Sequence, residues 1–204
     1  MSPVNGIFEI RIHGRGGQGV VTAAELLALG AFLDHRFAQA FPNFGSERMG
    51  APVMAFCRIS EQEIRLREPV TRPDGLIIQD PTLLHQVDLF SGLRSSGYLL
   101  LNTSRELDQL GLGDYRLPSG HIRSVPATEI AWKHTGRPIP NAALVGAFAA
   151  LTGCLSLESV REAIFQRFGG KIGQSNVAAA DAAYEAVRNG KVLEKGAERH
   201  ACSN

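Results

Sequence analysis

The chain reads as an α/β protein: a single Rossmann-like domain with a mostly parallel sheet, an antiparallel hairpin and a helical C-terminal part. Three observations predict this. Ile7 to His13 is a short β-rich run, Gly14-Arg15-Gly16-Gly17-Gln18-Gly19 is a tight glycine loop, and an Ala/Leu helix opens at Val20. Beyond that junction, strand-like and helix-like segments alternate, the pattern of a sheet wound with crossovers. From about residue 127 onward the pattern is helical throughout.

Taken in order, the first helix runs from Val20 to about Asp34, and residues 36–41 (Arg-Phe-Ala-Gln-Ala-Phe) read as a second strand. Residues 42–52 form a loop with proline at both ends and Glu47 and Arg48 in its middle. Residues 53–59 and 63–67 read as two further strands. Ser60-Glu61-Gln62 links them as a hairpin, and the second member alternates apolar and charged residues as a half-exposed strand should. Residues 75–79 form a short buried-type strand, and Pro81, suited to a first helical position, opens a helix through about Phe90. Residues 97–102 are the next strand, and Thr103 to Glu106 has capping-box spacing for a short helix or turn. A last strand covers 121–126, followed by helices over 127–134, 141–152, 156–168 and 175–187. One domain thus spans 1–190, and residues 191–204 form a polar tail expected to fray.

Composition narrows the function classes. At 204 residues and 44% hydrophobic content the chain can bury one sizeable core. A net charge of +1 gives no footprint for nucleic acid or an anionic membrane. No apolar run approaches the roughly 20 residues of a bilayer span. Residues 1–6 lack a basic and an apolar signal region, so a cytoplasmic location is expected. Cys57, Cys154 and Cys202 are isolated and odd in number, which fits reduced thiols. Without a CxxC pair the chain shows no iron–sulfur or zinc site of its own.

The glycine loop is the place to look for chemistry. Its glycines bring bare backbone N–H groups close to a partner, and the helix behind them presents a positive dipole end that favours anions. Gly14, Gly16 and Gly19 match G-x-G-x-x-G at a strand-to-helix junction. A dinucleotide enzyme also needs an acid ending its second strand. Asp34 precedes that strand, whose end offers Gln39, Ala40 and Phe41. Three readings of the loop stay open: a nucleotide site, close packing of helix on strand, or contact with another subunit. Arg15 and Gln18 within the loop, and Arg48 beyond the second strand, sit where loops at strand ends converge. An arginine there can grip phosphate or carboxylate with paired hydrogen bonds, or simply pair with Glu47.

Other candidates are weaker. His13 ends a strand and reads as a packed polar residue, and His85 and His134 as surface residues. Asn141, after Pro140, reads as a helix N-cap. Trp132 reads as partly buried. No Ser-His-Asp, HExxH or paired-carboxylate spacing supports hydrolase chemistry.

Three segments together resemble a known family. Ile10-Arg11-Ile12-His13-Gly14-Arg15-Gly16-Gly17-Gln18-Gly19-Val20 is followed by Phe41-Pro42-Asn43-Phe44-Gly45-Ser46-Glu47-Arg48-Met49-Gly50-Ala51-Pro52-Val53. Arg137-Pro138-Ile139-Pro140-Asn141 then precedes Leu144-Val145-Gly146-Ala147. In this order they resemble the gamma subunit of the 2-oxoacid:acceptor (pyruvate:ferredoxin-type) oxidoreductases, over about residues 7–187. Met49 stands where many relatives carry another residue.

The resemblance implies oxidative decarboxylation of a 2-oxoacid with coenzyme A to an acyl-CoA, by a complex of which this chain is an inactive part when alone. It implies alpha-type and beta-type subunits holding thiamine diphosphate and magnesium, and a ferredoxin-like delta subunit with 4Fe–4S clusters. The acceptor would be ferredoxin, or NAD through a subunit carrying FAD. It implies no catalytic residue here. Gly14, Arg15, Gly16, Gly17, Gln18 and Gly19, with Ser46 and Arg48, would border the coenzyme A channel or a subunit seam. The small subunit of an indolepyruvate-type enzyme and a stand-alone nucleotide-binding module are the alternatives.

Overall fold

In the computed structural model, residues 6–43, 49–112 and 117–189 are described. The first strand, β1 (Ile7–Arg15), shows why a sheet forms. Ile10 and Ile12 point to one side and are fully buried, while Arg11 and His13 point to the other. Such alternation fits the two-residue period of a strand. Five more strands join it: β2 (Phe37–Pro42), β3 (Pro52–Ser60), β4 (Gly75–Ile78), β5 (Tyr98–Asn102) and β6 (Ile122–Val125). Their order across the sheet is β2-β3-β1-β4-β5-β6. The β1–β4, β4–β5 and β5–β6 pairs are parallel, and β3 runs antiparallel to both β1 and β2. Only β3 is reversed.

Helices α1 (Val20–Leu33), α2 (Ala127–Thr135), α3 (Asn141–Thr152), α4 (Leu157–Phe168) and α5 (Gly170–Asn189) complete the fold. The larger core joins Ile10, Ile12, Ile77 and Leu100 of the sheet to Leu26, Leu144, Phe148 and Ile164 of the helices. On α3 every residue from Asn141 to Ala149 is buried, so this helix is walled in on all sides. The opposite face of the sheet carries a smaller core of Leu76, Ile78, Leu99 and Leu101 under Leu83 and Leu89. Covered on both faces, β4 reads Gly-Leu-Ile-Ile without polar alternation.

Asp34 has a structural task. Its carboxylate accepts from Ser156 N–H at 2.8 Å, Ser156 Oγ at 2.8 Å and Ser159 Oγ at 2.6 Å, tying the end of α1 to the start of α4.

Several expectations need correction. Residues 63–67 form no strand. Both sides of β3 are taken by β1 and β2, which leaves no edge for a third partner, so the antiparallel hairpin is β2–β3. Arg65 instead meets Glu63 at 3.0 Å in solvent. The helix expected from Pro81 to Phe90 is one 3-10 turn, Pro81–His85. Farther on, the buried Arg11 guanidinium takes the carbonyls of Leu89 at 2.8 Å and Ser91 at 2.7 Å, which turns them away from a helical ladder. Thr103 Oγ1 accepts Arg105 N–H at 3.1 Å, a local turn, and a 3-10 turn follows at Asp108–Leu110. The last helix starts at Gly170, five residues before the expected 175. Asn141 is the first helical residue, with Pro140 at the cap, and its Oδ1 accepts the Ala142 N–H at 2.7 Å. Trp132 is mostly exposed. The tail 191–204 lies outside the described residues.

Candidate functional site

The glycine loop leaves the C-terminal end of β1 and enters α1. Gly17 (φ 92°) and Gly19 (φ 75°) adopt left-handed backbone, which only glycine takes at little cost. Gly14 serves packing, since a Cβ there would lie 2.6 Å from Val20 Cγ2. The loop is strapped to the segment entering β3: Gly16 N–H donates to Ala51 O at 2.9 Å, and Gly50 N–H to Gly16 O at 3.1 Å. Met49, 88% exposed, lies over Gly17, where a Cβ would be 2.5 Å from its Sδ. Ser46 and Arg48 fall outside the described residues.

Arg15 and Gln18 turn inward and bridge to the end of β4. Gln18 Oε1 accepts the Arg15 N–H at 2.8 Å, and Gln18 Nε2 donates to Asp80 Oδ2 at 2.7 Å. The Arg15 guanidinium donates to Thr82 Oγ1 at 2.7 and 3.2 Å, to Gln86 Oε1 at 3.0 Å and to Gly50 O at 3.1 Å. Its Nε also lies 3.3 Å from Asp80 Oδ2. Burial pushes the Asp80 carboxyl upward, but hydrogen bonds from Thr82 and Gln18 and the Arg15 charge outweigh it and hold it below the usual carboxylate range. Gln79 Nε2 donates to Gln18 O, and Asn102 Nδ2 to Gln79 O at 2.8 Å and Thr128 Oγ1 at 2.8 Å. The ends of β1, β4 and β5 and the start of α2 are thereby laced together.

Sequence reasoning missed Asp80, Thr82, Gln79 and Asn102. A signal existed in Asp80-Pro81-Thr82, a short polar side chain and a proline straight after a buried strand. Asp80 Oδ1 accepts Thr82 N–H at 3.0 Å, as a cap does.

His13 is 6% exposed. Burial, then the Arg11 charge, pushes it down to about 4, so it is a neutral packed residue. Burial also raises the thiols, Cys154 to about 11 and Cys57 higher still, which leaves both protonated at neutral pH. Metal centres need thiolates or clustered donors. Among the described residues no group of three or more His, Cys, Asp or Glu could hold a metal.

The topology also separates this site from a dinucleotide-binding one. In those sheets the second strand adjoins the first and its terminal acid meets the ribose. Here β3 occupies that place, and β2 lies two strands from β1. The 14 residues of α1 carry Asp34 roughly 20 Å from the glycine loop. The crevice between β1 and β4 is spanned by Arg15, Gln18, Asp80 and Thr82.

Comparison with known proteins agrees. A family model for pyruvate ferredoxin/flavodoxin oxidoreductase matches residues 9–186. The chain is 49% identical over 178 residues to pyruvate synthase subunit PorC of Methanocaldococcus jannaschii, covering 87% of this chain and 96% of that one. It is 44% identical over 179 residues to the pyruvate/ketoisovalerate oxidoreductases common subunit gamma of Pyrococcus furiosus, covering 88% and 96%. The crystal structure of pyruvate oxidoreductase subunit PORC from Thermotoga maritima superposes with a TM-score of 0.76 at 36% identity, over 88% of this chain and 96% of that one. The protein therefore belongs to the pyruvate ferredoxin/flavodoxin oxidoreductase family, among its gamma-type subunits.

Proposed function

We propose that this chain is the gamma subunit of a complex that oxidatively decarboxylates a 2-oxoacid with coenzyme A, giving an acyl-CoA, carbon dioxide and two electrons for an acceptor. The observation that carries this reading is likeness along almost the whole length of subunits named for pyruvate synthesis. Pyruvate is accordingly the first substrate to test. The alpha-type and beta-type subunits hold thiamine diphosphate with magnesium, which supplies the carbanion chemistry. A ferredoxin-like delta subunit carries the 4Fe–4S clusters, and ferredoxin takes the electrons. The assembly works in the cytoplasm; no helix among the described residues is long and apolar enough to cross a membrane.

This chain lends a rigid wall to that centre. Its glycine loop, Gly14 to Gly19, together with Ser46 and Arg48, borders the coenzyme A channel or the seam with a neighbouring subunit. Support comes from the convergence of the loop and the segment entering β3 at the C-terminal end of β1, where Met49 is exposed. Arg15 is engaged by four internal acceptors and acts as a strap. Arg48 is the cation that tests whether this border is a coenzyme A channel or a seam.

Purification from the native source should bring down thiamine-binding and ferredoxin-like chains, and the complex should reduce ferredoxin with pyruvate and coenzyme A. Arg48→Ala should raise the KM for coenzyme A about ten-fold, a loss equivalent to one charge-assisted hydrogen bond, or weaken assembly. Unchanged affinity and unchanged assembly would remove the loop from the site. A 22.0 kDa monomer that oxidises pyruvate alone would overturn the whole reading.

A further inference from the structure

We propose that Asp80 is a positioning residue that holds the glycine loop in its working shape; this rests on the reading of that loop as a channel wall or seam. Three hydrogen bonds and one ion-pair contact converge on its two oxygens. Oδ1 takes Thr82 N–H at 3.0 Å and Thr82 Oγ1 at 2.6 Å, and Oδ2 takes Gln18 Nε2 at 2.7 Å with Arg15 Nε at 3.3 Å. An ionised carboxylate accepts on both oxygens and has no proton to donate.

The consequence runs through the Gln18 amide. Because Asp80 can only accept, the amide must turn its NH2 toward it, and Oε1 is then aimed at the Arg15 N–H, 2.8 Å away. That bond closes the loop across its base, beside the Gln18 N–H to Arg15 O bond of 3.1 Å. Thr82 is oriented by the same logic. Its single hydroxyl proton goes to Asp80, which leaves its lone pairs for the Arg15 guanidinium at 2.7 and 3.2 Å. One carboxylate at the end of β4 thus sets the direction of the side-chain bonds that span the β1–β4 crevice. With both polar side chains of the loop tied down, the loop's shape is fixed from within.

A polarity swap tests this. Asp80→Asn keeps the shape and one accepting oxygen, but its NH2 must confront a donor, either Gln18 Nε2 or the Thr82 N–H. Gln18→Glu alone sets two carboxylates against each other. Together the two substitutions restore a bond of reversed direction, with an amide donor at position 80 and a carboxylate acceptor at position 18. The experiment measures hydrogen exchange at the Arg15 amide, KM for coenzyme A and kcat in the purified complex carrying each single and the double substitution. Each single should speed that exchange about ten-fold, one hydrogen bond's worth, and raise KM for coenzyme A with kcat unchanged. The double should return both to within about two-fold, the residue of imperfect coupling.

Unchanged exchange in Asp80→Asn, or a double variant no better than the worse single, overturns the proposal. If Asp80→Asn fails to assemble, recovery of assembly in the double supports it and continued failure overturns it. Exchange that follows the swap while KM and assembly stay constant in all three variants supports the positioning role and discards the channel or seam instead.

Discussion

At the residue scale, His13 carries the sharpest consequence. It is buried on the face of β1 opposite the helices, its Nε2 has no hydrogen-bond partner among the described residues, and burial holds it neutral, down to about 4. An unfolded histidine takes its proton near 6.5. Between those values the unfolded chain binds more protons than the folded one, so stability is full above pH 6.5 and drains away as pH falls toward 4. The loss amounts to about 3 kcal/mol. Urea unfolding of the chain at pH 7 and pH 4.5 should show it, and His13→Leu should flatten the slope between them. His13 was legible as a packed strand-end residue because it follows two isoleucines in alternation. The direction of Arg15 was not. A motif records that a cation sits in the loop, whereas its partners, Thr82, Asp80 and Gln86, lie 67, 65 and 71 positions along the chain.

At the element scale, α3 and α5 approach more closely than ordinary side chains allow. A Cβ on Gly146 would lie 2.3 Å from the backbone oxygen of Ala180, which cannot swing aside. Gly146→Ala should therefore cost about 1–3 kcal/mol and lower the melting temperature by several degrees, readable by thermal circular dichroism. These helices were legible from composition, because alanine-rich runs such as Asn141–Thr152 and residues 178–183 favour a helix. The strand at 63–67 was misread for the opposite reason. Its alternation of Glu63, Arg65 and Arg67 with apolar residues fits a strand's period, but a strand also needs a free edge, and β3 had none left. The helix after Pro81 failed similarly, since nothing local announces that Arg11, 78 residues earlier, claims the Leu89 carbonyl.

At the scale of the whole molecule, the glycine motif, its strand and its helix stand where a dinucleotide-binding protein has them, yet the surroundings differ. β3 displaces the second parallel strand, and side chains bridge the crevice where pyrophosphate would enter. Calorimetric titration of the isolated chain with NAD should give no binding tighter than millimolar, weaker than about 4 kcal/mol; micromolar affinity would contradict the geometry. The class of fold was visible in the alternation of segments. The order of the strands was not, because a sequence shows neighbours along the chain, and β3's insertion between β1 and β2 is set by register across it.

The reversal of β3 reaches further than the sheet. A strand parallel to β2 would have required a long crossover to the other end of the molecule before it could begin. By doubling back instead, the chain makes its return at the rim where β1 stops, and so delivers Met49, Gly50 and Ala51 alongside Gly16. Lengthening or trimming that return would therefore change what stands beside the glycine loop. In this fold, the hairpin's connecting arc is the part through which variation can retune the rim.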